Sequence, residues 1–203
     1  MNTSVRNTTR LLWGALRALL VLTVVTGILY PLAVTGIAQA AFHHKANGSA
    51  VKADGRDVGS KLIGQSWDVP GTERPDPKWF QPRPSHSSYD PLSTGSSQLG
   101  ASDRKLEKAV REAKEQVAAF NDVPVSKVPA DAVTGSASAV DPDISPAYAR
   151  IQTARVAREN HLSRAQVRKL VDQHTEGRDL GFLGESRVNV LELNLALRTV
   201  VKH

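Results

Sequence analysis

The sequence predicts an α+β protein, built as a single N-terminal transmembrane helix followed by one soluble mixed α/β domain. Three observations carry that expectation. An uncharged apolar run lies near the N-terminus, a turn-rich stretch with short apolar pieces follows it, and capped helical periodicity fills the C-terminal half. The expected divisions are an N-terminal tail over residues 1–10, an anchor over 11–42, a linker over 43–58 and a soluble domain over 59–203.

From Ala18 to Phe42 no residue carries a full charge. At about 1.5 Å per helical residue that run reaches roughly 37 Å, enough to cross a bilayer with tilt. Pro31 removes a backbone hydrogen bond near its middle, so a kink is expected at Tyr30 and Pro31. Small residues at Gly14 and Ala18, then at Thr23 and Gly27, give another helix room to approach. Ala38-Gln39-Ala40 resembles a signal cleavage site, but the apolar stretch is longer than the ~7–15 residues of a signal core, which favours an uncleaved anchor. Arg6, Arg10 and Arg17 on one side nearly balance Lys45, Lys52 and Arg56 on the other. The amino terminus and the signal-like order of segments tip the expectation to a single-pass protein of the cell membrane with its soluble domain extracytoplasmic.

Residues 46–100 are rich in Gly, Pro and Ser, and Lys61 to Trp67 and Trp79-Phe80 suit short strands between turns. Ser102-Asp103 then reads as an N-cap, with Leu106, Val110, Ala113 and Val117 along one helical face. Glu107, Arg111 and Glu115 are spaced for exposed ion pairs on the opposite face. Asp141-Pro142 and Ser145-Pro146 mark a turn and a helix start, the helix running towards Asn160. Ser163 and Gln166 match a capping box, after which Val167, Leu170, Val171 and His174 share a face. Gly177, Gly181 and Gly184 break the pattern before Arg187 to Leu197, a dense apolar run suited to strand, helix or one passing into the other.

Composition narrows the chemistry. The chain has no cysteine, which removes disulfides, thiolate nucleophiles and Cys-based metal sites. Its net charge of +6 is spread among acids rather than gathered in a basic run, so nucleic acid is not an expected partner. Ser102 to Lys105 spells S-x-x-K without the companion motifs of penicillin-recognising enzymes, and helix capping accounts for Ser102. His174-Thr175-Glu176 copies the H-x-E of zinc deaminases, which also need cysteine ligands. No phosphate-cradling glycine loop or esterase elbow is present. His43-His44 makes a partial metal site at best, and a polar pair at the membrane interface is the simpler reading.

Several stretches in order resemble the C subunit of the Kdp-type potassium-transporting ATPase, a bacterial potassium-uptake pump. They are Leu29-Tyr30-Pro31, Gly59 to Gln65, Trp79-Phe80 with Arg83-Pro84-Ser85, Val128-Pro129-Ala130-Asp131, and Asp141-Pro142 with Ile144-Ser145-Pro146. Arg155-Val156-Ala157 follows. The most distinctive is His174-Thr175-Glu176-Gly177-Arg178, Gly181, Gly184-Glu185 and Arg187 to Leu197. The chain departs at Ser96 to Ala101, reading Ser-Ser-Gln-Leu-Gly-Ala where the family usually has Gly-Ser-Asn-Leu-Gly-Pro.

The resemblance implies a non-catalytic subunit of a high-affinity, ATP-driven potassium pump, needed for its assembly and activity. It implies three partners: a potassium-channel-like subunit, a P-type ATP-hydrolysing subunit and a small membrane peptide. It also implies no cofactor of the chain's own; ATP is met only in complex with the hydrolysing subunit, whose ATP affinity the family is described as raising. The family signature nominates Gln65, Trp79, Arg83, Ser96, His174, Glu176, Arg178, Arg187 and Asn194 as interface candidates. Gly14, Ala18, Thr23, Gly27, Tyr30 and Pro31 are the candidates for anchor packing. An alternative of another class, a membrane-tethered extracytoplasmic hydrolase using His174, Glu176 or Arg178, lacks an identifiable nucleophile.

Overall fold

Pro31 sets the form of the anchor. A proline at this position has no N–H for the carbonyl one turn back, and its ring crowds that carbonyl. In the computed structural model, which describes residues 2–202, helix α1 (Asn2–Val24) passes through a π-helical turn (Val25–Leu29) into α2 (Tyr30–Ala41). The Tyr30 N–H reaches back to Val25 O, and Thr26 Oγ1 donates to Leu22 O at 2.7 Å. The irregularity expected at Pro31 is therefore a widened turn just ahead of it, a known cause of helix bending. Arg6–Ala41, 36 residues, is long and apolar enough to cross a membrane and buries none of its most apolar stretch inside the protein. A short turn, α3 (His43–Ala46), follows. There Gln39 and Asn47 exchange side-chain hydrogen bonds of 3.2 and 3.1 Å, and His43 Nδ1 lies 3.0 Å from Gln39 Oε1. This polar knot suits the water-facing end of a membrane helix.

The chain divides into two compact units, Met1–Ser49 and Ala50–His203. The second begins with a hairpin, β1 (Ala50–Ala53) and β2 (Arg56–Ser60), inside the stretch read from sequence as a linker. Asp54 and Gly55 form its turn with φ of 51° and 77°, the left-handed pair that a tight hairpin favours. Residues 61–103 contain no named strand or helix. The strands expected at Lys61 to Trp67 and at Trp79-Phe80 do not form: Asp68 and Pro75 make one isolated bridge, and the Trp79-Phe80 segment is held by side chains instead.

Helix α4 (Arg104–Asn121) starts where Asp103 accepts from Lys105 N–H. Val110, Ala113 and Val117 pack on the core as expected, whereas the exposed face pairs Lys108 with Glu112 at 3.6 Å rather than Arg111 with Glu107 or Glu115. Two 3-10 turns, Val125–Lys127 and Ala130–Ala132, lead to β3 (Asp143–Ile144) and α5 (Pro146–Glu159), with Ser145 capping and Pro146 in the first turn. The capping box of Ser163 and Gln166 opens α6 (Arg164–Gln173). Strands β4 (Thr175–Glu176) and β5 (Arg187–Asn189) follow, and β5 passes directly into α7 (Val190–Val201). The sheet order β3-β5-β4 is antiparallel throughout, with Ile144 and Thr175 flanking Val188. Phe80, Tyr148, Val156, Val167, Val171, Val188, Leu193 and Leu197 form the core beneath it. Helices and small antiparallel sheets in one soluble unit make the fold α+β, as the sequence indicates.

Candidate functional site

The interface candidates separate into a buried clamp and an exposed hairpin. In the clamp, Asn194 is wholly buried, accepting from Phe80 N–H at 2.9 Å and donating to Phe80 O at 3.0 Å. Gln152 does the same one residue on, accepting from Gln81 N–H at 2.7 Å and donating to Gln81 O at 3.0 Å. Two amide side chains from α5 and α7 thus satisfy a buried, non-strand backbone that would otherwise leave orphaned donors and acceptors.

Arg155 completes this clamp and was not among the residues nominated. Its Nε donates to Asn121 Oδ1 at 3.0 Å, one terminal nitrogen to Trp79 O at 2.9 Å and to Pro77 O, and the other to Gln152 Oε1 at 2.7 Å. The guanidinium also lies 4.4 Å from the Phe120 ring centre. Burial lowers its pKa to about 10. Trp79, within the same segment, packs against Trp67 with ring centres 5.3 Å apart and planes tilted by 49°. Asn194 and Trp79 are therefore read by the structure as organisers of the fold.

The second group lies on the hairpin of β4 and β5. Arg187 meets Glu176 at 2.9 Å, Asp143 at 3.5 Å and Asp179 at 3.7 Å. Lys61 reaches Glu176 at 2.7 Å and Glu192 at 3.0 Å. The Lys61 hydrogen bond holds the Glu176 carboxyl below its ordinary range, and Lys61 is raised in return. Desolvation pushes Asp143 up, opposed by a hydrogen bond from Asn189. His174 caps α6 with Nδ1 2.9 Å from Leu170 O. Arg178 is exposed at the start of the loop that follows. With the imidazole on a helix carbonyl and the carboxylate between two cations, His174 and Glu176 form no nucleophile-and-base pair.

The remaining candidates stand apart from both groups. Gln65 is half-buried against Gly59, Arg83 binds Asp141 at 2.8 Å and the Thr134 carbonyl, and Ser96 is exposed, accepting from Gln98 N–H at 3.3 Å. Gly14, Ala18, Thr23, Gly27, Tyr30 and Pro31 are all exposed on the anchor, and open space surrounds Gly14 and Gly27.

Two clefts of the soluble unit differ in charge. One cleft of about 580 Å³ carries Asp68 and Glu73 against a single Arg83 already bound to Asp141. Another of about 400 Å³ is basic, but Asp54 engages its Arg198 and Lys202, and no aromatic ring is present to stack a base.

A helix long and apolar enough to cross a bilayer, followed in sequence by a small α+β unit, is the architecture of a protein with a single membrane anchor. Comparison with known sequences makes this specific. The family model described as KdpC, the c chain of K+-transporting ATPase, matches residues 12–199. A potassium-transporting ATPase KdpC subunit of Streptomyces avermitilis is 54% identical over 219 residues, covering 99% of both chains. That of Streptomyces coelicolor is 52% identical over 99% of this chain and 97% of its own. The Mycobacterium tuberculosis protein of the same name is 47% identical over 93% of this chain and 97% of its own. The chain belongs to the KdpC family of potassium-transporting ATPase subunits.

Proposed function

We propose that this chain is a non-catalytic subunit required for assembly and activity of a high-affinity, ATP-driven potassium uptake pump. The family match across residues 12–199 carries the reading, and the exposed anchor supports it. The small-residue face around Gly14, Ala18, Thr23 and Gly27 packs beside the potassium-channel-like subunit within the membrane. The soluble unit lies on the extracytoplasmic side and covers that subunit. A P-type ATP-hydrolysing subunit and a small membrane peptide complete the assembly. ATP stays with the hydrolysing subunit, and this chain raises its affinity through the assembled complex.

The test is deletion of the gene followed by potassium uptake at limiting potassium. Uptake and ATP hydrolysis are expected to fall together and to return with the wild-type gene; unchanged high-affinity uptake overturns the proposal. Because the native chain has no cysteine, an exposed Ala137→Cys variant reports the side of the membrane cleanly. Labelling by an impermeant thiol reagent in intact cells is expected, and labelling only after lysis refutes the extracytoplasmic placement.

A further inference from the structure

Residues 177–186 join β4 to β5 as a loop with an ordered, apolar, outward-facing tip. Asp179 and Leu183 exchange backbone hydrogen bonds of 2.9 Å in an antiparallel bridge, and Gly181 N–H donates to Arg178 O at 3.1 Å. The Arg187–Asp179 ion pair ties this inner turn to the stem. Leu180, Phe182 and Leu183 are nevertheless 83%, 69% and 50% exposed.

In the isolated chain this arrangement is unfavourable twice over. Hydrated apolar side chains forgo burial, and Leu180 sits at φ 53°, a left-handed conformation that costs a bulky residue. Gly181 at 82° and Gly184 at 75° adopt theirs freely. Glycine occupies the neighbouring left-handed positions, yet leucine is kept at the most exposed one, where its side chain touches no core.

We propose that Leu180, Phe182 and Leu183 insert into an apolar pocket on a companion subunit of the same membrane assembly. This rests on the subunit reading given above. The loop's charges favour a protein over a lipid surface: Arg178 and Arg187 are matched by Asp179 and Glu185, so no basic surplus draws it to anionic headgroups, and both acids flank the tip. Three side chains expose a few hundred Å² at most, short of the ~800 Å² per partner of a free-standing interface between two copies. Such a contact suffices where the anchor already holds both partners in one membrane and raises their effective concentration.

The experiment uses the full-length chain co-expressed with its companions, with the photoreactive residue p-benzoylphenylalanine replacing Phe182. Irradiation is expected to give an adduct with a companion pump subunit, identified by mass spectrometry. An adduct with a second copy, or with lipid alone, overturns the proposal. Separately, Leu180→Gly and Phe182→Ser are expected to weaken retention of companion subunits about tenfold or more in detergent. The thermal midpoint of the chain should stay unchanged, or rise for Leu180→Gly because glycine accepts the left-handed backbone. Wild-type retention in both variants overturns the docking role, as does a fall in midpoint that accounts for the loss. A pump that assembles without this chain would instead remove the subunit reading itself, so the two failures are distinguishable.

Discussion

Replacing Asn194 by Leu probes the reasoning about the buried clamp most directly. The two side chains are close in shape, so the change removes hydrogen bonds with little change of volume. It strands the N–H and the carbonyl of Phe80, a residue with no solvent exposure. Each buried group left without a partner costs about 1–3 kcal/mol, giving a total of about 2–6 kcal/mol. For a domain of this size about 2–4 °C accompanies each kcal/mol, so the midpoint should fall by roughly 10 °C. Tryptophan fluorescence of the full chain in detergent is a suitable assay, because Trp79 adjoins the clamped Phe80 and packs against Trp67, so the pair reports its release. Gln98→Leu, which alters an exposed amide, serves as the control and should leave the midpoint in place. A midpoint for Asn194→Leu within about 1 °C of wild type would refute the clamp as a source of stability.

Arg155→Lys keeps the positive charge but not the fork that reaches Pro77 O, Trp79 O, Asn121 and Gln152. It should still cost about 2–4 kcal/mol in urea titration, and an unchanged midpoint would show that charge rather than geometry matters. Gly64→Ala should destabilise by about 1–3 kcal/mol, since a Cβ there would lie 2.5 Å from Asp141 O and 3.0 Å from the Tyr89 ring. Gly95→Ala, with nothing within 4 Å, should be near neutral in the same titration. For pH, the folded Glu176 carboxyl lies below its ordinary 4.5, so its contribution is present above pH 4.5 and is lost as pH falls through the folded value. The stability gap between wild type and Glu176→Gln should therefore be under about 1 kcal/mol at neutral pH, given that the pair is over a third exposed, and should close as pH falls below the folded value; a gap that widens in acid contradicts the pairing.

Much of the local structure was legible in the sequence because its causes are local. Asp103, Ser145 and Ser163 start their helices through their own side chains, and Pro146 fits the first turn, so short windows of sequence suffice. Asp54-Gly55, in the stretch expected to be a linker, instead turns the β1–β2 hairpin with its left-handed pair. Of the candidate site, His174, Glu176, Arg178 and Arg187 were marked by the neighbouring glycines and by family resemblance; β4 and β5 pair Glu176 with Arg187, while His174 caps α6 and Arg178 lies in the loop between the strands.

The sequence by itself determined the apolar anchor stretch, the capped starts of α4, α5 and α6, and family membership, since these follow from residue composition, caps and motif order along the chain. Only the tertiary structure decided which charges meet and which buried polar groups are satisfied. Lys61 finds Glu176 and Asn194 finds Phe80 across more than a hundred positions of sequence, and Arg155 becomes a hub only when α4, α5 and the Pro77–Trp79 segment converge. Short strands at Trp79-Phe80 were expected from apolar pattern alone. That backbone obtains its hydrogen bonds from amide side chains on distant helices, a solution no periodicity records.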